Sequence, residues 1–374
     1  MKPAPGNRLT MQRLSAALRV RGAERELLCM ECILHIGANK TGTTSIQKTL
    51  MSNASQLKKQ GFLYPRSGRS FPPKVFDRHA GLRMAVLPVD VDPRGLAATV
   101  NLTTEEKRAV YRKDFIEAFD LELLANKDMR YTVVSDEALF LFSDDLTAQG
   151  MFAFLKERFQ RTKVIVYLRR PDLYVASAYS QFVKMGGCDD FETFVESSLQ
   201  GPKYFDLLQP WRTVFGKENI EVACFDRRFL RGGDAVADFL ARIGVDSTDF
   251  EHFQVNESLS ALGCEALRLV NVRFEGKAPR YFRRAFSRTF TGASVQMSDR
   301  MKGAVRDAFK DDHEKLVEAF GLECMEFYAL DDFDTASAAQ VPEDSPLLAR
   351  KIADLALAIQ ERAAARSPGG RSRT

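Results

Sequence analysis

The stretch LHIGANKTGTTSIQ, residues 34–47, joins a short apolar run, a glycine-containing loop and the first turn of a helix. The apolar run extends back to Glu31 and predicts a buried strand, whereas Thr43 begins a helical pattern of apolar residues that continues to Lys59. A strand that ends in such a loop and opens a helix directs several backbone N–H groups and the helix dipole at one point. The stretch therefore predicts an anion-binding site in an α/β fold.

The position of the lysine separates this loop from an ordinary nucleotide-triphosphate site. In the pattern G-x-x-x-x-G-K-[ST], the lysine follows the second glycine and bridges the β- and γ-phosphates, and the next hydroxyl binds Mg²⁺. Here Gly37 and Gly42 have the required separation, but Thr43 occupies the lysine position and Lys40 lies inside the loop. With hydroxyl residues around it, the loop suits a smaller terminal anion. The alternative is an ordinary turn that binds nothing.

Strands and helices alternate along most of the chain. Further buried strands are predicted at 62–65, 131–137, 163–169 and 219–226, and continuous apolar runs of this kind are typical of a parallel sheet covered on both faces. Helices are predicted at 103–126, 145–159, 171–185, 191–199, 205–215, 234–243, 258–274, 298–320 and 345–365, with a loop at 66–94 that carries a short helix near 76–86. The pattern predicts a three-layer α/β/α fold with a mostly parallel central sheet, similar to P-loop NTPases, and a helical C-terminal subdomain.

The predicted organisation has four parts. A disordered basic extension covers residues 1–29, the α/β core covers 30–245, the helical part of the same catalytic domain covers 246–366, and a disordered tail covers 367–374.

Charge and hydropathy exclude two classes of partner. Residues 1–30 and 362–374 each carry a net charge of +4, so the body between them carries −4 within a total of +4. Because a nucleic-acid-binding protein is expected to carry its basic excess on the folded body, we expect no nucleic-acid partner. No apolar run approaches the roughly 18–20 residues of a membrane span, and the N-terminus lacks the apolar segment of a secretory signal.

The cysteines predict neither a metal site nor disulfides. Of the six, only Cys29 and Cys32 form a C-x-x-C pair, and a zinc site would need a second pair at suitable spacing. We therefore expect free thiols in a reducing compartment, a cytoplasmic location and no metal.

The loop resembles the 5′-phosphosulfate-binding loop of the sulfotransferases that use 3′-phosphoadenosine 5′-phosphosulfate (PAPS). H-I-G followed by K-T-G-T-T is similar to the bacterial, carbohydrate-type members. The resemblance implies that the loop binds PAPS through Lys40, Thr41, Gly42, Thr43, Thr44 and Ser45. Cytosolic members tend to have Trp where this chain has Ser45, and their C-terminal R-K-G element has no clear copy here, which favours the bacterial branch and leaves the adenine contacts open.

A second motif strengthens the resemblance. In this family an arginine at the end of a later strand and a serine eight residues further on bind the 3′-phosphate. The stretch VIVYLRRPDLYVASAYSQ, residues 164–181, supplies Arg169 and Ser177 at that separation, with Pro171 near the helix start. A guanidinium grips phosphate with two donors. Arg170 could serve in place of Arg169, but Ser177 would then lie only seven residues after the arginine. The alternative for Arg169 and Ser177 is a structural role in the fold.

Sulfuryl transfer to a hydroxyl or amine needs a base for the acceptor proton and positive charge at the leaving phosphate oxygen. The resemblance implies that Lys40 supplies the charge and that Glu137, at the carboxyl end of the third strand, is the base. Consecutive strand residues point in opposite directions, so only one of Asp136 and Glu137 is expected to reach the cleft. The alternative for residues 135–137 is that they cap the next helix. His79, in FDRHAG, is the alternative base, and the other interpretation of His79 is a surface histidine.

These features predict a sulfotransferase that uses PAPS, releases 3′-phosphoadenosine 5′-phosphate (PAP), needs no metal and acts on a carbohydrate, lipid or small-molecule acceptor. The basic, aromatic segment KAPRYFRRAFSR, residues 277–288, would contact the nucleotide or an anionic acceptor, or is an amphipathic surface. The alternatives are a P-loop kinase or NTPase and a catalytically inactive module that binds a nucleotide or glycan. The sequence does not predict the oligomeric state.

Overall fold

The structure is a computed structural model of the chain, and it describes residues 29–71, 74–87, 95–141, 145–254, 259–290, 292–322 and 345–366. The extension predicted over 1–29, apart from Cys29, and the tail predicted over 367–374 lie outside the described residues.

A parallel sheet forms the centre of the fold. In chain order the strands are β1 (Glu31–His35), β2 (Phe62–Leu63), β3 (Ser70–Phe71), β4 (Lys74–Val75), β5 (Tyr131–Ser135), β6 (Arg161–Leu168) and β7 (Ile220–Cys224). Five of them pair in parallel in the order β2-β5-β1-β6-β7, and β3 pairs with β4 in a short antiparallel hairpin. The predicted three-layer fold with a mostly parallel sheet is confirmed. Because β1 lies between strands that follow much later in the chain, its carboxyl end is a topological switch point, where open α/β sheets bind ligands.

The helices surround this sheet. They are α1 (Thr43–Ser52), α2 (Ala54–Lys59), α3 (Ala80–Val86), α4 (Leu96–Val100), α5 (Glu105–Leu124), α6 (Asp145–Lys156), α7 (Pro171–Lys184), α8 (Phe191–Leu199), α9 (Tyr204–Phe215), α10 (Ala235–Arg242), α11 (Ala261–Arg273), α12 (Arg280–Thr289), α13 (Asp299–Phe320) and α14 (Ser345–Arg366). A short 3₁₀ turn (Glu137–Leu141) follows β5. Side-chain oxygens cap five helix starts, at Thr104, Asp190, Asp234, Ser260 and Ser298, which explains where these helices begin.

Consecutive side chains of a strand point to opposite faces of the sheet, and each face is covered by its own layer of helices. Ile33 of β1 packs in one core with α1, α2 and α10, whereas Leu34 packs in the other with α3, α5, α6 and α9. A further core joins α7 to α11, α12 and α14 through Val183, Leu267 and Phe282, among others. No helix that the structure describes is long and apolar enough to span a bilayer.

The helix predicted over 43–59 is present but is divided into two helices. Asn53 has φ −102° and ψ 21° and divides it into α1 and α2. The Asn53 amide donates to the carbonyl oxygens of Thr49 (2.8 Å) and Glu251 (2.9 Å) and accepts from the Glu251 N–H (2.9 Å). An asparagine that bonds to backbone competes with helix continuation, and its distant partner cannot be read from the sequence. Helix α12 begins within the segment predicted over 277–288 and ends one residue after it, with Phe282 and Phe286 buried.

The expectation of free thiols is wrong for Cys224. It is disulfide-bonded. The free cysteines among the described residues are Cys29, Cys32, Cys188 and Cys264.

Candidate active site

The loop between β1 and α1 has three residues in the left-handed region. The φ angles are 39° at Gly37, 66° at Lys40 and 76° at Gly42. A Cβ atom on Gly42 would lie 3.0 Å from the Cβ of Ala235 and 3.2 Å from the ring of Phe225, so glycine is required there for both conformation and space. The loop is thus held close against the start of α10 and the end of β7.

The start of α1 is open. Gly42 is its N-cap residue, no side chain caps the helix, and the first intrahelical bond runs from the Ile46 N–H to the Gly42 carbonyl (3.0 Å). The N–H groups of Thr43 and Thr44, in the first turn, therefore precede the first intrahelical hydrogen bond. Together with the helix dipole they make a region that favours an anion.

The hydroxyl groups of the loop are differently placed. Thr41 is fully buried, and its hydroxyl donates to the Ala38 carbonyl (2.6 Å), so that hydroxyl stabilises the loop. Thr43 is 5% exposed, whereas Thr44, Ser45 and Lys40 are half-buried. The side chains that solvent or a ligand reaches most readily are therefore those of Lys40, Thr44 and Ser45.

The structure brings Arg169 to this loop. Its Nη1 donates to the carbonyl oxygen of Lys40 (3.3 Å), its guanidinium lies 5.7 Å from the centre of the Phe225 ring, and the Tyr204 hydroxyl donates to its carbonyl (2.8 Å). Burial lowers the pKa of Arg169, but the group stays cationic because arginine titrates far above neutral pH. Two segments 129 residues apart thus meet because β6 pairs directly with β1.

The other two residues of the second motif are placed differently. Ser177 is half-buried in the second turn of α7, and within the described residues no hydrogen bond joins it to Arg169 or to the loop. The Arg170 guanidinium makes two hydrogen bonds to the carboxylate of Asp172 (2.7 and 2.8 Å). Arg169 is thus the arginine of this pair that contacts the loop.

Lys40 lies near the C-terminal helices. Burial raises the pKa of the Cys264 thiol on α11 to about 11, and the positive charges of Lys184 and Lys40 oppose that rise. Leu259, just before α11, donates its N–H to the hydroxyl of Ser180 on α7 (3.1 Å). The loop thus lies close to the surface where α7 packs on α11.

The two neighbouring carboxylates after β5 face different layers. Asp136 is 1% exposed and contacts Arg78 (2.8 Å) and the fully buried Arg83 (3.2 Å), on the side of α3. Glu137 is bonded on the side of α1, where the Gln47 amide donates to its Oε2 (2.8 Å), and Arg78 lies 3.4 Å from its Oε1. Glu137 is the more accessible of the two, with 15% of its side chain exposed.

Sequence reasoning missed a set of buried polar residues beneath the loop. Gln47 is 3% exposed, and its amide also donates to the Ser135 hydroxyl (3.1 Å), which lies 2.9 Å from Nδ1 of the fully buried His35. Burial lowers the pKa of His35 to about 3, so its ring is neutral. The sequence does contain an indication of this network: Gln47 is a polar residue on the same buried face of α1 as Ile46 and Leu50, and a buried polar residue needs a hydrogen-bond partner.

The alternative that His79 is a surface histidine is wrong. It is 1% exposed, its Nδ1 accepts from the Ser135 N–H (3.1 Å), and its Nε2 therefore donates to the Pro65 carbonyl (3.0 Å). Burial, and secondarily the charge of Arg69, lowers its pKa to about 3. Both ring nitrogens are occupied, so His79 fastens the loop before α3 to the end of β5.

We expect the protein to lose stability in acid through these two histidines. In the folded state both pKa values are about 3, but the unfolded state titrates near 6.5. As the pH falls from 6.5 towards 3, only the unfolded chain binds these protons, so the free energy of unfolding should fall by about 1.4 kcal/mol per pH unit for each histidine. Urea unfolding from pH 7 to pH 4 measures this slope. His79→Gln should reduce it and the exposed His252→Gln should not; an unchanged slope in His79→Gln would contradict the assignment.

Two further features bear on the site, the possible metal ligands and the C-terminal basic segment. Among the described residues, no group of three or more His, Cys, Asp and Glu side chains is arranged to hold a metal ion. On α12, Arg283 donates to the Lys184 carbonyl (3.4 Å) and Arg284 is exposed. This segment therefore contacts the end of α7, the helix that begins after Arg169.

The fold and this site define a P-loop-like α/β protein with a glycine-containing loop at the switch point of its sheet. No protein-family model matches the chain. An uncharacterized protein of Archaeoglobus fulgidus is 31% identical over 112 residues, which are 29% of this chain, and the match spans only 30% of that relative's length.

Two sulfotransferases are among the solved structures that are similar to the chain. One is a sulfotransferase from Alicyclobacillus acidocaldarius, with TM-score 0.40, 16% identity, and coverage of 79% of this chain and 97% of that one. The other is a sulfotransferase domain from the curacin biosynthetic pathway, with TM-score 0.32, 11% identity, and coverage of 75% and 96%. Similarity at this level carries no argument about function, which therefore rests on the residues of the site.

Proposed function

We propose that this protein is a sulfotransferase that uses PAPS as donor and a hydroxyl or amine of a carbohydrate, lipid or small molecule as acceptor. One observation carries the proposal: Arg169, the arginine of the second motif, donates a hydrogen bond to the backbone of Lys40, the lysine of the first. A binding loop and a second cationic group on neighbouring strands suit a ligand with two anionic ends, such as a nucleotide phosphorylated at both its 3′ and 5′ positions.

The residues of the loop fit the 5′ end of such a nucleotide. Gly42 leaves no room for a side chain against Ala235, and the uncapped N–H groups of α1 offer donors to an anion. Thr44 and Ser45 add accessible hydroxyls, and Lys40 adds positive charge. We assign Arg169 to the 3′-phosphate, with Ser177 on the next helix as its partner.

The chemistry divides between three groups. When bound, PAPS supplies the sulfuryl group: the bond from sulfur to the acceptor oxygen or nitrogen forms as the bond from sulfur to the 5′-phosphate oxygen breaks, leaving PAP. Glu137 takes the proton of the acceptor, and Lys40 stabilises the charge that develops on the phosphate oxygen. We place the base at Glu137 because both ring nitrogens of His79 are occupied and Asp136 is buried between arginines.

A P-loop kinase is the enzymatic alternative. It needs a carboxylate for Mg²⁺ at the end of a strand next to the loop. Asp136 is at such a position, because β5 pairs with β1, but its carboxylate contacts Arg78 and Arg83. Thr43 also occupies the position of the kinase lysine. Both features favour sulfuryl transfer over phosphoryl transfer.

We expect the protein to bind PAP more tightly than ADP, and Arg169→Ala to remove that preference. Loss of a charge-assisted contact to the 3′-phosphate should weaken PAP binding by about 10- to 100-fold and leave ADP binding nearly unchanged. Calorimetric titration of both variants with PAP, ADP and ATP, with and without magnesium, measures this. Arg161→Ala, at the opposite end of β6, is the matched control.

Three results would contradict the proposal. Tighter binding of ATP that depends on magnesium would favour the kinase, and equal binding of PAP and ADP by the wild type would remove the 3′-phosphate site. Binding of PAP without transfer of radiolabelled sulfuryl groups to any carbohydrate, lipid, small molecule or water would leave a catalytically inactive binding module.

A cytoplasmic location is also a proposal. It rests on the thiols of Cys29, Cys32, Cys188 and Cys264, which are free in the described part of the chain. The disulfide at Cys224 counts against it, because disulfides are rare in reducing compartments.

A further inference from the structure

Gln47 lies between the loop and the candidate base. It is the fifth residue of α1 and faces the sheet, where it is 3% exposed. A buried amide is costly unless its donors and acceptor find partners. Gln47 directs one donor at Glu137 and the other at Ser135.

The chemistry of the partners fixes the orientation of this amide. An ionised carboxylate only accepts hydrogen bonds, so the group that Gln47 presents to Oε2 of Glu137 must be its NH₂. The second N–H then reaches the Ser135 oxygen (3.1 Å). Both donors of the amide are thus committed, and the carboxylate has a defined position relative to α1.

Ser135 fixes the other end of the arrangement. Its hydroxyl oxygen accepts from Gln47, and within the described part of the chain the acceptor available to its proton is Nδ1 of His35 (2.9 Å). His35 is therefore protonated at Nε2, which is buried without a hydrogen-bond partner among the described residues, beside Gly37 and Thr43. A chain of buried groups runs from the floor of the loop to Glu137.

We propose that Gln47 is the positioning residue for Glu137. Helix α1, which begins at the loop assigned to the 5′ end of PAPS, would then also fix the position of the base. The inference rests on the proposed function. Gln47 touches neither donor nor acceptor; it acts through the carboxylate that it holds. Because a displacement of about 1 Å of a catalytic group can cost about 100-fold in rate, a bond at 2.8 Å that fixes this group matters to turnover more than to binding.

The test separates turnover from binding. Gln47→Met keeps the length of the side chain and removes both donors. It should bind PAP within about threefold of wild type and lower kcat for PAPS, followed as sulfate release to water, by about 10- to 100-fold, with the KM for PAPS nearly unchanged. Tyr167→Phe removes a buried hydrogen bond to Asp238 on the same face of the sheet (2.8 Å) and is the matched control, expected to keep its kcat.

A second readout does not need activity. The side-chain NH₂ protons of Gln47, assigned through the backbone resonances of isotopically labelled wild type, should exchange slowly with solvent and should shift when Glu137→Gln replaces the wild-type carboxylate. Ser135→Ala should speed their exchange, and it keeps the test open if Gln47→Met fails to fold. A wild type that does not bind PAP would overturn the proposed function itself. PAP binding with an unchanged kcat in Gln47→Met, or Gln47 protons indifferent to Glu137→Gln, would overturn only the role of Gln47.

Discussion

Replacing Lys40 with glycine should lower the rate of sulfuryl transfer by about 100- to 1,000-fold and leave the fold at least as stable as the wild type. Lys40 has φ 66°, a conformation that costs a residue with a Cβ about 1–2 kcal/mol and costs glycine almost nothing. The greater freedom of glycine in the unfolded chain offsets about 0.4–1 kcal/mol of that gain. The Lys40 carbonyl that accepts from Arg169 remains, so the contact between the two motifs is kept.

The catalytic loss has a separate origin. Removing one group that stabilises developing charge typically costs about 100- to 1,000-fold in kcat, and we expect the same for the Lys40 ammonium. The measurements are thermal unfolding and turnover of radiolabelled PAPS. Glu275→Gly is the matched control: Glu275 is exposed and has φ 50°, so it should give the same relief of backbone strain with no loss of rate. Turnover within about tenfold of wild type in Lys40→Gly would remove Lys40 from the chemistry.

Local sequence patterns predicted the framework of the site because local physics determines it. The two glycines of the loop and the hydroxyl residues after them predict a strand, a turn and a helix start, and the structure has β1, left-handed Gly37 and Gly42, and α1 in that order. The end of β6 at Leu168 agrees with the prediction that Arg169 closes a strand. These features depend on neighbours within a few residues.

Long-range partners could not be predicted in the same way. Asn53 interrupts a helix because it bonds to Glu251, and Gln47 bonds to Ser135 and Glu137, pairs separated by 198, 88 and 90 residues. The apolar stripe on α1 and α2 shows where a helix is buried but not which polar group lies opposite. Strand order is part of the missing information: the pairing of β1 with β5 brings Gln47 to Ser135 and Glu137.

Asp136→Asn should lose stability and keep its turnover, whereas Glu137→Gln should keep its stability and lose turnover. Asp136 is buried with Arg83 and Arg78, and removing the negative charge from a buried ion pair is strongly destabilising, by about 3–5 kcal/mol. Asp136 also accepts from the Ala138 N–H (3.2 Å) at the start of the 3₁₀ turn, so Asp136→Asn should lower the urea midpoint sharply. Where the variant is folded, its turnover should stay near that of wild type.

Glu137→Gln should keep the stability of the wild type and lose most of its turnover. The new amide oxygen still accepts from Gln47, and the side chain is partly exposed, so stability should change little. The variant has no carboxylate to take the acceptor proton, and loss of a general base typically costs about 100- to 10,000-fold in rate. Urea unfolding and PAPS turnover, measured on both variants, decide whether Asp136 or Glu137 is the base. A stable but inactive Asp136→Asn beside an active Glu137→Gln would move the base to Asp136, and it would then require the contacts with Arg78 and Arg83 to open when the acceptor binds, because a carboxylate held between two arginines is a poor proton acceptor.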